Sequence, residues 1–202
     1  GLAKAAVAVT VDGVQKDLHD PIMQDSSVSI ITIDSEEGLE IMRHTLAAQV
    51  LARAVKNLYP KSKLAIGPTI KDGFYYDVEC KETISIDDLK KIEKEMDKIV
   101  KTKSSITKKL LSKKDALKVF KDKDESYKEE IINDSDQEDD FQLYYQDDED
   151  FVDLCKGPHL PSLNFIGAYK LTTISGAYWK GDSSNTMPVS YTHLTLPTKV
   201  TV

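Results

Sequence analysis

Cys155 and His159 place a thiol and an imidazole on either side of Gly157-Pro158, in the run Asp153-Leu154-Cys155-Lys156-Gly157-Pro158-His159. A thiolate is a nucleophile or metal ligand, and an imidazole moves protons near neutral pH. The Gly-Pro pair breaks any helix, so both side chains can point from one short loop into one pocket. On these residues alone, a buried structural thiol beside a surface histidine is an equal reading.

Such a loop needs strands and helices to hold it. Ala6 to Val11, the turn pair Asp12-Gly13 and Val14 to Leu18 predict a hairpin, and the β-branched run 28–33 predicts a third strand. Residues 1–34 therefore read as part of a small β-rich module. Asp34 with Glu37 predicts a capping box, and Ile41, Ala47, Val50, Leu51, Ala54, Val55 and Leu58 mark one helical face as far as Pro60. His44 borders that face. Residues 64–68 and 73–78 flank Lys71-Asp72 as a second hairpin, whose alternation sends Tyr75 and Tyr76 to opposite faces. Ser85 with Asp88 opens a long amphipathic helix with a basic outer side. A strand at 106–111, a helix capped by Ser112 and Asp115, a short helix at 125–132 containing Lys128, and strands at 141–146 and 167–174 complete an α+β fold with a mainly antiparallel sheet and flanking helices.

The net charge is −7 over 202 residues, which argues against a general nucleic-acid coat, yet lysines crowd 90–123 while 134–150 is acidic. No apolar run approaches a membrane span, and the start carries no signal-peptide pattern. The chain does not begin with Met, so its N-terminus is read as cut. Two distant cysteines, Cys80 and Cys155, are expected to be reduced thiols, and the protein to be cytoplasmic.

Five stretches in order, Gly38 to His44 with Ala65 to Pro68, Gly73 to Asp77, Glu125 to Lys128, Asp153 to His159, and Gly176 to Asp182, resemble the bacterial threonyl-tRNA synthetases. The resemblance spans about residues 1–187. It implies the C-terminal part of a ubiquitin-like, β-grasp TGS domain at 1–34, and an editing domain at 35–187 that hydrolyses seryl-tRNA(Thr). Serine and threonine differ by one methyl, worth only about 1–3 kcal/mol in a pocket, so a second site has an error to remove. The resemblance carries over His44, Lys128, Cys155 and His159 as catalytic residues and Tyr76 and Asp153 as substrate-binding ones. It assigns water and proton handling to His44 and Lys128, the seryl ammonium to Asp153, pocket shape to Cys155 and His159, and substrate or terminal adenosine to Tyr76. A Cys155 acyl-enzyme is the second mechanism. The partner implied is the acceptor end of tRNA(Thr). No cofactor is expected in this segment; ATP, magnesium, zinc and homodimer contacts are expected in an aminoacylation core that this chain lacks.

Two departures from the family follow. The family has a second histidine four residues after the first, whereas Ala48 stands there and Gln49 follows. On an α-helix the fifth residue lies about 140° from His44, so Gln49 reaches the same face only if the helix bulges. Without it the chain reads alternatively as a catalytically silent tRNA-binding module. The gap also leaves only His44, Cys155 and His159 of the four ligands with which related alanyl-type domains hold zinc, and no metal is expected. Beyond Met187 the pattern stops, so 188–202 is read as an artefactual, poorly packed tail in which His193 has no function.

Overall fold

The computed structural model describes residues 1–82, 84–147, 149–176 and 189–195. A short helical turn, α1 (Leu2–Ala5), leads into β1 (Ala6–Val11), which pairs antiparallel with β2 (Val14–Asp17) across the Asp12-Gly13 turn and with β3 (Val28–Thr32) on its other edge. Val7, Ala8 and Ile31 turn inward to join the main core, while Val28 and Ile30 face solvent. The pleat alternation of β3 is thus the signal that sets its inner face.

The central helix begins one residue later than the Asp34 box predicts. Ser35 is the N-cap, its Oγ accepting from Gly38 N at 3.0 Å, and α2 runs Glu36–Thr45. Its first turn carries Glu36 and Glu37, the favourable sign for a helix N-terminus. Next comes the bulge that a displaced Gln49 requires: Leu46–Leu51 is π-helical, with every residue buried, before α3 resumes at Ala52–Leu58. A π turn spends one extra residue without unwinding the helix, so α3 keeps its apolar face on the core. Gln49 is fully buried against strand β9 (Phe141–Gln146), its carbonyl accepting from Gln146 Nε2 at 2.7 Å.

The second hairpin forms in two pieces. β5 (Thr69–Ile70) and β6 (Gly73–Phe74) pair around Lys71-Asp72, and β4 (Lys63–Leu64) pairs with β7 (Val78–Glu79) outside them. The Ser85–Asp88 capping box is present and opens α4 (Leu89–Lys101), whose Leu89, Ile92, Met96 and Ile99 pack inward. β8 (Ile106–Leu111), β9 and β10 (Val152–Leu154) make an antiparallel sheet of order β10-β9-β8. On one face Leu143 and Tyr145 meet Phe120 of α5 (Lys113–Asp122) and Ile132 of α6 (Ser126–Asn133). On the other, Tyr144 joins the core built around α2 and α4. β9 is therefore covered on both sides, and its face toward α2 carries the site.

β11 (Leu171–Gly176) starts later than the 167–174 expectation. Within the stretch 188–202, read as a poorly packed tail, the backbone of Val189–Thr195 forms β12, hydrogen-bonded between β11 and β6 in the order β11-β12-β6-β5. Its backbone completes two strand edges, whatever its composition. Of the Gly176 to Asp182 motif only Gly176 lies within the described residues. Among the described residues no helix is long and apolar enough to cross a membrane.

Candidate functional site

Register brings the reactive groups together. Asp153 pairs with Tyr144 across β10 and β9, so both side chains share the face toward α2, and Cys155, two residues on, continues it. His44 is in the last turn of α2 and meets that face: its Nε2 lies 2.6 Å from Cys155 Sγ. The backbone of Gly67 also lies near His44, where it favours the protonated ring, and Gly67 packs so closely on the Tyr76 ring that a Cβ at residue 67 would collide with it. One residue without a side chain thereby lets the backbone approach the imidazole.

The loop after Cys155 turns at Gly157, with φ +63° and a cis bond to Pro158, and a Cβ there would run into the Tyr144 hydroxyl. It delivers His159, which is buried, parallel to His44 at 4.6 Å between ring centroids and edge-on to Tyr144 at 4.4 Å. Thr45 Oγ1 donates to Ile41 O at 2.8 Å, accepts from Leu160 N, and lies 3.1 Å from His159 Nδ1. With the hydroxyl proton committed to Ile41, His159 carries its own proton on Nδ1 and presents a bare lone pair at Nε2. That buried Nε2 has no partner among the described residues.

A second group of side chains forms the charged wall. Lys128, on α6, is almost fully buried with Nζ 2.6 Å from Asp153 Oδ1, and it donates to Tyr76 OH at 3.0 Å. Tyr76 OH in turn donates to Asp153 Oδ2 at 2.9 Å, and Leu154 N donates to Oδ1 at 2.8 Å. A carboxylate has about four lone-pair sites, so Asp153 retains room for one more donor. Tyr76 is fully buried beside the ion pair, and its hydroxyl fastens Lys128 to Asp153.

A cavity of about 390 Å³ opens onto these groups. His44, Cys155, Lys128 and Asp153 line it together with the apolar side chains of Ile66, Pro68, Ile131 and Phe141. His159 lies behind His44, and Gln49 is turned to Gln146, away from the cavity.

Burial controls the protonation states. It holds His44 below the ordinary histidine value, outweighing the nearby Asp153 carboxylate, and it pushes His159 further down, helped by His44. Burial also pushes the Cys155 thiol up to about 12. At neutral pH the pair is thus a neutral imidazole beside a neutral thiol, a poor start for nucleophilic attack by sulfur.

His44, Cys155 and His159 bring three potential metal-binding atoms within 4.8 Å of one another. The imidazole rings are within 6° of parallel, however. Ligand lone pairs lie in the ring plane, and parallel rings share no in-plane point at which both could meet one ion. The set as arranged does not fit a zinc ion bound by both histidines.

Asp17, Thr45 and Tyr144, which complete the site, lie in predicted segments but outside the quoted motifs, and Gly67 lies inside one, Ala65 to Pro68; nothing local marks the contacts of any of the four.

The family model for the threonyl and alanyl tRNA synthetase second additional domain matches residues 142–188, the segment holding β9, β10 and the Cys155–His159 loop. Threonine-tRNA ligases are similar over almost the whole chain: 46% identical over 187 residues in Acidithiobacillus ferrooxidans and 48% over 187 residues in Legionella pneumophila, each covering 93% of this chain. A third, from Psychrobacter arcticus, is 43% identical over 185 residues. The chain spans 29% of the length of the first and second of these relatives and 28% of the third. With the site and this similarity together, the chain is a homologue of the threonine-tRNA ligases that carries sequence of their second additional domain.

Proposed function

We propose that this chain is an aminoacyl-ester hydrolase that removes serine from seryl-tRNA(Thr). The observation that carries the reading is the cavity lined by an imidazole, a thiol and a buried lysine-carboxylate pair. Ester hydrolysis needs a positioned water, a group to take its proton and charge to stabilise the oxyanion. His44 Nε2 takes the water's proton as the Cys155 S–H resting against it turns aside, and returns that proton to the leaving ribose oxygen. The Lys128 ammonium has three N–H donors, two of them engaged by Asp153 and Tyr76, which leaves one for the developing oxyanion. Asp153 takes the seryl ammonium on its remaining lone-pair site. Cys155 acts as a wall and hydrogen-bond partner rather than a nucleophile, because its proton stays on sulfur at neutral pH.

Threonine's additional methyl needs space beside these groups, and its exclusion spares the correct product. The tRNA acceptor end is the partner in this reading. The ligase reaction in the relatives' name, with ATP, magnesium and zinc, and their dimer contacts are assigned to the parts of those proteins beyond this chain.

The test is serine release from seryl-tRNA(Thr), with threonyl-tRNA(Thr) and the Lys128→Ala chain alongside. Seryl ester should be cleaved about 10–200-fold faster than threonyl ester, and Lys128→Ala should lose about 100–1,000-fold. Binding of tRNA without release above the uncatalysed rate would overturn the proposal in favour of a silent binding module.

A further inference from the structure

We propose that Asp17, in the N-terminal three-stranded module, is a positioning residue that sets His159 and through it the stacked His44 of the site. This rests on the hydrolytic reading only where turnover is measured. Asp17 ends β2, and its carboxylate leaves the module to grip the opposite side of the reactive loop. Oδ1 accepts from the backbone N–H of His159 at 2.9 Å, while Oδ2 accepts from Tyr144 OH at 2.7 Å and from Lys108 Nζ at 2.8 Å. Asp20 closes the clamp, accepting from the same Lys108 and from Asp17 N.

Each contact bears on the imidazole. The first fixes the backbone from which His159 projects. The second holds Tyr144, whose ring edge abuts the His159 ring and whose hydroxyl fills the space a side chain at Gly157 would need. Thr45 supplies the third constraint at Nδ1, and stacking on His44 the fourth. Without Asp17 the loop keeps its covalent course but loses the one carboxylate shared by its backbone and its neighbouring phenol. Groups that orient an imidazole through its surroundings typically alter function by about 10–100-fold, and a shift near 1 Å has a similar cost.

The experiment compares the whole chain with Asp17→Ala, Asp17→Asn and, as a control in the same module, Asp12→Ala. Asp12 accepts from Ser27 N at the exposed end of the β1-β2 hairpin, away from the site. The readouts are ¹⁵N imidazole spectra of His159 and the kcat and KM for seryl-ester hydrolysis. Wild type and Asp12→Ala should show one His159 tautomer, protonated on Nδ1. Asp17→Ala should shift both nitrogens toward an averaged tautomer pattern and lower kcat about 10–100-fold with little change in KM. Asp17→Asn, which keeps an acceptor for His159 N, should restore part of both; it carries the comparison if Asp17→Ala does not fold. An unchanged His159 spectrum in the Asp17 variants overturns the proposal, whatever happens to kcat. If wild type proves inactive on seryl-tRNA, the hydrolytic reading fails, and the spectra still decide the role of Asp17.

Discussion

Lys128→Met keeps most of the lysine stem and removes its charge, leaving Asp153 buried with two partners instead of three. The ion pair is 2.6 Å long and its side chains are 3% and 2% exposed. At an effective dielectric near 20 the attraction is roughly 6 kcal/mol, much of it offset by desolvating both ions. Breaking a buried pair from one side usually costs about 3–5 kcal/mol. Tyr76 OH and Leu154 N stay on the carboxylate, so the expected loss is near the lower end, about 3 kcal/mol. With a urea slope near 2 kcal/mol per molar, the unfolding midpoint should fall by about 1.5 M. Asp153→Leu should cost a similar amount by stranding the ammonium, whereas Lys128→Met with Asp153→Leu should be far less damaged than the two losses summed. A Lys128→Met midpoint equal to wild type, or additive single losses, would refute the claim that this pair holds the wall of the cavity.

Three further outcomes are expected. Gly157→Ala should lose about 1–3 kcal/mol by thermal melt, because residue 157 has φ +63° and a Cβ meets Tyr144 OH; Tyr144→Phe in that background should recover part. Deleting Ala48 should turn Leu46–Leu51 into regular α-helix at unchanged or higher melting temperature, while deleting the fully buried Ala54 should unseat α3; a melt as low for the first as for the second contradicts the π account. His44 and His159 titrate below the ordinary 6.5 when folded, so their stabilisation is complete above 6.5 and is lost as pH falls toward their depressed values, by up to about 1.4 kcal/mol per pH unit each. Asp77, pushed to about 7 by burial, opposes this by binding its proton more tightly when folded, and Asp77→Asn should steepen the acid loss measured by urea unfolding.

Local chemistry was legible in the sequence wherever it is self-contained. The Asp12-Gly13 turn, the Ser85–Asp88 box and the Ser112 cap each satisfy their own backbone, and all three occur as read. The Asp34 reading failed by one residue because Ser35 offers a hydroxyl in the right conformation for Gly38 N. β10 escaped because three residues carry too little alternation to mark a strand. Spacing exposed the extra residue after His44, but only packing decides that a buried helix absorbs it as a π turn with Gln49 against Gln146. Alternation correctly divided Tyr75 from Tyr76, yet the depth of Tyr76 depends on Gly67 lying flat on its ring. Asp17 looks like any strand-edge carboxylate, since its partners are more than 90 residues away in sequence. The strand pairing of Val189–Thr195 was likewise invisible, because backbone hydrogen bonds to β11 and β6 do not depend on side-chain pattern.

The account as a whole turns on water attacking the ester while the Cys155 thiol stays protonated. Single-turnover deacylation of seryl-tRNA(Thr) by the wild-type chain, quenched in acid and analysed for both free serine and protein-bound serine, tests it most directly. The prediction is free serine appearing in one phase with no seryl thioester on Cys155. A thioester that forms and decays in step with serine release, or no release above the uncatalysed rate, would contradict it.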